Sequence, residues 1–192
     1  MSKSRLCLGA LGSLLVVPMA QAHPGHLHEA HGFLAGFLHP LTGIDHLLFM
    51  LAVGVWMALR VPAAGKGLLL LIPLAQVLAV AAMWLPVSVV VWEVTLAVSL
   101  VTIGVLLWRT QGSRFAVALA VLGAGLHAAV HWAEMPAGAD TLGYGLGMLA
   151  ASVLLYVLGS LVGVAPRPFA EHGARAFGIT LAGGGLWMLL LG

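Results

Sequence analysis

Every lysine and arginine beyond residue 22 falls into one of three short gaps between long apolar stretches. Arg60 and Lys66 bracket the first gap, Arg109 and Arg114 the second, Arg167 and Arg175 the third. The alternate gaps, around Trp84-Leu85-Pro86 and at 133–141, hold no basic residue. Such a partition orients a chain that crosses a bilayer, because cytoplasmic loops retain Lys and Arg. With 61% hydrophobic and 7% charged residues, the chain has too little polar surface to cover a soluble domain of its length. The net charge of +2 comes from groups spread along membrane edges and implies no nucleic-acid partner.

The expected fold class is an all-α membrane protein, a bundle of six transmembrane helices after a cleavable signal peptide. The six apolar segments lie at about 40–59, 67–85, 87–108, 115–132, 142–164 and 176–191. Most approach the ~20 residues that cross a ~30 Å hydrocarbon core. Ahead of them, Lys3 and Arg5 precede an apolar run at 6–17, and Ala20-Gln21-Ala22 offers small residues to signal peptidase. An uncleaved first helix is the other reading of that run. The expected parts are a signal at 1–22, a His-rich periplasmic leader and lead-in segment at 23–38, and a transmembrane domain at 39–192. Translocation of His23 followed by six crossings puts both mature termini in the periplasm of a bacterial cytoplasmic membrane.

The sole cysteine, Cys7, sits in the signal, so a metal held by the mature chain takes nitrogen, oxygen or methionine sulfur. Gly32/Gly36, Gly143/Gly147 and Gly159/Gly163 have the spacing that lets membrane helices approach closely, and read as packing. No glycine-rich phosphate loop is present.

Two segments place ionisable groups where they are costly. The first reads His39-Pro40-Leu41-Thr42-Gly43-Ile44-Asp45-His46. Pro40 disfavours helix at His39 and Gly43 weakens the next turn, so a kinked or re-entrant start to the span is expected. On an unbroken helix His39 and His46 would lie within about 20° of one face, with Asp45 to the side. An aspartate in a span costs about 2.5–3.5 kcal/mol on insertion scales, which marks it for a site. The bland reading is that Asp45 pairs with His46 or caps the broken helix. The second segment is His127-Ala128-Ala129-Val130-His131-Trp132-Ala133-Glu134. His127, His131 and Glu134 share one helical face, as a metal needs of its imidazole and carboxylate ligands. The bland reading is a helix end with Glu134 solvated.

Other candidates carry weaker signals. His23, His26, His28 and His31 could capture a divalent cation at the pore mouth, or form a leader with incidental affinity. Glu93 and Gln76 could complete a site; a helix-end carboxylate and an interhelical hydrogen bond are the simpler readings. Met50, one turn from His46, reads as packing. Glu171 and His172 read as solvated in the last inner loop.

Taken together, the chain resembles the HupE/UreJ family, membrane proteins linked to nickel supply for hydrogenase and urease. The match to that family's first-span motif, a histidine, five residues, then Asp-His, is His39 through Asp45-His46. The second family motif, a Phe-His-Gly run leading to a glutamate, corresponds to 126–134, with Ala128 and Trp132 where glycines are common in the family. Trp132 is expected to narrow the space beside the ligands. The resemblance implies a metal site of His39, Asp45, His46, His127, His131 and Glu134. It further implies permeation of Ni²⁺, or Co²⁺, into the cell, with no permanently bound cofactor and a functional link to hydrogenase or urease maturation.

Two other functions remain open at this level. Three histidines plus acids could hold Zn²⁺ with an open water position in an intramembrane hydrolase, although no HExxH is present. A metal-binding accessory protein would pass the ion to a partner without conducting it. Transport is the leading reading, and the protein is expected not to be an enzyme. Imidazole and carboxylate serve Ni²⁺, Co²⁺ and Zn²⁺ alike, so residue types do not choose between them.

Overall fold

Pro40 and Gly43 set how the chain enters the bundle. In the computed structural model, which describes residues 32–191 apart from 64, 110 and 111, helix α1 (Phe33–Thr42) runs through Pro40. Proline there withholds one hydrogen bond from the preceding turn, and the helix tolerates the loss. The break falls at Gly43, with φ −82° and ψ 114°, and helix α2 (Ile44–Arg60) leaves at 84° to α1. Thr42 Oγ1 closes the end of α1 by donating to the carbonyls of Leu38 and His39 at 3.1 and 3.0 Å. The expected kink is therefore present, three residues beyond the proline. Its extended ψ ends the helix outright, whereas Pro40 only thins the ladder. The lead-in residues from Phe33 belong to α1, and the segment expected as a first span at 40–59 straddles the bend.

The chain continues as α3 (Gly65–Leu78), a 3-10 turn (Ala79–Trp84), α4 (Val89–Trp108), α5 (Arg114–Ala133), α6 (Thr141–Ser160), a second 3-10 turn (Leu161–Val164) and α7 (Arg167–Leu191). Helices α4 to α7 are each long and apolar enough to cross a membrane, and the bent α1–α2 pair makes a fifth candidate. The stretch expected as a second span is a 14-residue α-helix that contains Pro73 and continues from Ala79 as a 3-10 turn; the α-helical part alone is shorter than the ~20 residues that cross a bilayer. The elements among the described residues are all helical, and the protein is multi-pass. Its exterior is apolar: Leu70, Val89, Phe115, Leu142, Val164 and Leu190 each expose 70% or more of their surface. A shell of that kind suits lipid and not water.

Small residues bring α6 against both halves of the bent pair. Gly36 lies against the backbone of Tyr144, and Gly147 against that of Phe33 and Phe37. Further along, Gly54 meets Tyr156 and Gly159 meets Leu51. These contacts are backbone on backbone, which only a missing Cβ permits. The core between the helices is filled by Met50, Trp56, Leu100, Ile103, Leu107 and Tyr156.

At the end of the bundle where α2 and α4 finish and α7 begins, the sequence expectation needs correcting. Arg60, read as a loop charge, is the last residue of α2 and is buried. Its guanidinium donates to Glu171 Oε2 at 2.6 Å and to Leu107 O at 2.7 Å. Arg167 donates to Glu171 Oε1 at 3.1 Å and to Leu59 O at 3.1 Å. Glu171 is therefore not a solvated loop acid but the hub of a network joining α2 to α7. A buried guanidinium demands such a counter-charge. His172 is exposed, as expected. The side chain of Lys66, the expected signal at 1–22 and the leader histidines His23, His26, His28 and His31 lie outside the described residues.

Candidate metal centre

Bending at Gly43 carries His39 and His46 to the same point from two helices. His39 opens the last turn of α1 and His46 lies in the first turn of α2; their rings stack at 5.3 Å. The C-terminal end of α5 brings His131 and Glu134 against them. Glu134 Oε2 lies 3.2 Å from His39 Nε2 and 3.3 Å from His46 Nε2. The His46 contact has hydrogen-bond geometry, whereas His39 approaches the carboxylate without that alignment. The His131 ring sits 3.9 Å from that of His46, centroid to centroid.

One donor atom from each of His39, His46, His131 and Glu134 falls within 4.8 Å of all the others. Ligands about 2.0–2.2 Å from a metal lie roughly 3.3–3.6 Å apart on a tetrahedron, so the four need only a small contraction. Three imidazoles and a carboxylate are the donor set of borderline divalent ions. A second observation fits the same ion. His131 is 0% exposed, yet neither ring nitrogen has a hydrogen-bond partner among the described residues. Leaving such a group unpaired costs about 1–3 kcal/mol, which coordination to a cation would recover.

Glu134 supplies the charge. Partial burial alone would raise its pKa, but the imidazoles of His39 and His46 outweigh that and hold the carboxyl down at about 2. The side chain is 46% exposed, so the carboxylate is the most solvent-accessible of the four donor groups.

The remaining sequence candidates are placed as follows. His127 shares the face of α5 with His131 and Glu134 but sits one turn deeper, where it meets the far nitrogen of His46, Nδ1, at 3.0 Å. Asp45 also stays outside the four-donor group, 3.9 Å from His46 Nδ1. Glu93 is exposed on α4 and does not join the cluster. Gln76 donates to Ser152 Oγ and Tyr156 OH at 3.1 and 3.0 Å, the interhelical bond that was its simpler reading. Met50 is core. Trp132 does not narrow the site as expected: its indole donates to Gln76 O at 3.0 Å and packs on Gly145 and Tyr144, toward α3 and α6.

Three residues at the centre carried no usable signal in the sequence. Ser99 on α4 contacts His127 Nδ1 at 2.9 Å, Phe49 stacks on the His127 ring, and Tyr144 OH donates to His131 O at 3.4 Å. A lone serine, phenylalanine or tyrosine in an apolar span is ordinary, and only helix packing reveals its neighbour.

Gly43 is part of the centre as well as of the bend. A Cβ there would come within 2.5 Å of His46 Cδ2. Gly43→Ala is expected to displace the His46 ring and weaken divalent-ion binding about 10-fold or more, a typical penalty for disturbing a ligand's support. Calorimetric titration of the purified variant with Ni²⁺ checks this, and unchanged affinity would refute it.

The fold and this cluster define a multi-pass helical membrane protein with a clustered imidazole–carboxylate group open to solvent at its carboxylate. The family model described as HupE / UreJ protein matches residues 11–188, and the chain belongs to that family. It is 35% identical over 187 residues to Protein HupE of Rhizobium leguminosarum bv. viciae, an alignment covering 92% of this chain and 94% of that one. No solved structure matches significantly.

Proposed function

We propose that the protein carries a divalent transition-metal ion, nickel first and cobalt next, across the bacterial cytoplasmic membrane into the cell, for metalloenzymes such as hydrogenase or urease. The ion is cargo and not a resident cofactor. The observation that carries this reading is the four-donor group of His39, His46, His131 and Glu134, with a fully buried His131 whose ring nitrogens have no hydrogen-bond partner among the described residues. Membership of the HupE/UreJ family supports it.

In this reading the signal at 1–22 is removed, α3 and its 3-10 extension complete a sixth crossing, and both mature termini face the periplasm. Leader histidines gather the ion, and Glu134 draws it into the cluster. Imidazoles then replace part of its water shell while the carboxylate offsets charge in a low dielectric. For an inward-moving dication the membrane potential supplies about 4.6 kcal/mol per 100 mV, so no nucleotide-driven partner is required. Purified protein in liposomes with a negative interior is expected to admit Ni²⁺ to an enclosed indicator dye, and Co²⁺ is expected to compete. Tight Ni²⁺ binding without flux would overturn conduction in favour of handing the ion to a partner.

A further inference from the structure

His127 stands behind the donor group, and both its nitrogens are engaged. Nε2 lies 3.0 Å from His46 Nδ1, and Nδ1 lies 2.9 Å from Ser99 Oγ. Ser99 Oγ is in turn 2.7 Å from Leu96 O. Phe49 covers the imidazole face, 4.1 Å between centroids and 7° between planes, which holds the ring in place. His127 and Ser99 are both buried, at 1% and 3% exposure.

Neutral imidazoles carry one N–H each, so hydrogen counting allows two complete arrangements. In the first, Ser99 donates to His127 Nδ1, His127 Nε2–H donates to His46 Nδ1, and His46 Nε2–H donates to Glu134. In the second, His46 Nδ1–H donates to His127 Nε2, His127 Nδ1–H donates to Ser99 Oγ, and Ser99 donates to Leu96 O. Every donor has an acceptor in both. Only the second leaves the His46 Nε2 lone pair bare, as a cation facing Glu134 requires. The hydroxyl makes both possible, because it can accept and donate at once.

We infer that Ser99 and His127 form a positioning relay that sets the tautomer of His46, offering N–H to Glu134 when the centre is empty and a lone pair when it is loaded. The inference rests on the metal-binding reading above. On loading, the His46 proton relocates from Nε2 to Nδ1 and the His127 proton from Nε2 to Nδ1. The Ser99 hydroxyl hydrogen turns from His127 to Leu96. No proton is gained or lost. Without the hydroxyl, the loaded arrangement strands a buried His127 N–H with no acceptor, which selectively disfavours the metal-bound state. His127 is accordingly a support to a ligand and not itself one, the kind of outer contact whose loss costs about 10–100-fold in metal affinity.

The test uses full-length protein in lipid nanodiscs with ¹⁵N-labelled histidine, and diamagnetic Zn²⁺ as the probe. Without metal, His46 and His127 are expected to be protonated at Nε2; with saturating Zn²⁺, at Nδ1. Ser99→Ala is expected to lower Zn²⁺ affinity about 10–100-fold with little change in melting temperature, and Ser99→Thr to restore it. If wild-type protein binds no Zn²⁺, the metal-binding reading fails and the relay with it. If wild type binds but His127 keeps one tautomer throughout, or Ser99→Ala binds as tightly as wild type, the relay alone is overturned. Failure of Ser99→Thr to restore binding in a protein of unchanged stability would likewise overturn it. Should Ser99→Ala not fold, the wild-type tautomers and Ser99→Thr still decide.

Discussion

Glu134→Gln is expected to weaken Ni²⁺ binding about 100-fold and to abolish measurable uptake into liposomes, leaving the helical content unchanged. The substitution keeps the shape of the side chain and removes the only negative charge among the four clustered donors. Breaking one side of a buried charge pair costs about 3–5 kcal/mol. Glu134 is nearly half exposed, and solvent there discounts the figure toward ~3 kcal/mol, or roughly two decades of affinity. Asp45→Asn makes the informative contrast. Its carboxylate faces His46 Nδ1 from 3.9 Å and lies outside the donor group, so its effect is expected to be about 10-fold or less. Parallel titrations and dye-reported flux for the two variants check the ranking. Equal losses would mean that the ion sits between the two acids and not among His39, His46, His131 and Glu134.

Gly147→Ala is expected to destabilise the protein by at least about 3 kcal/mol, beyond the usual overpacking range of 1–3 kcal/mol for an added methylene. A Cβ at residue 147 would overlap the carbonyl of Phe33, and backbone cannot rotate aside as a side-chain tip can. The reciprocal change, Gly36→Ala, would strike the backbone of Tyr144. Either variant pushes α1 off α6 and takes His39 out of reach of Glu134. Gly123 and Gly183 are the controls, because a Cβ at either meets nothing within 4 Å among the described residues. Alanine there is expected to be neutral or mildly stabilising, by up to about 1 kcal/mol of helix propensity. Thermal unfolding in detergent reads all four, and a Gly147→Ala protein that melts with wild type would refute the close crossing.

How far the centre could be read in advance differs from residue to residue. His131 lies in the last turn of α5 and Glu134 caps its end three residues on, and that spacing alone places them together. His39 and His46 were legible as a pair, but not how they meet, since that depends on a bend at Gly43 that could equally have fallen at Pro40. Asp45 and His127 look like ligands by residue type and neighbourhood. They stand outside the four-donor group because helix packing offers each only the far nitrogen of His46. The Arg60–Glu171 pair could not be anticipated, since 111 positions separate the partners and each alone looks like an ordinary membrane-edge charge.

By itself the sequence determined that this chain lives among lipid, that its helices are long and few in charge, and which end of the bundle gathers histidine. Those properties follow from hydropathy and spacing, which act locally and add along the chain. Only the tertiary structure decided which imidazoles bring a donor atom within 4.8 Å of one another, which one stands behind another, and where the single acid among them faces. Those are differences of an ångström or two, set by which glycine lies opposite which carbonyl, and no local pattern encodes them.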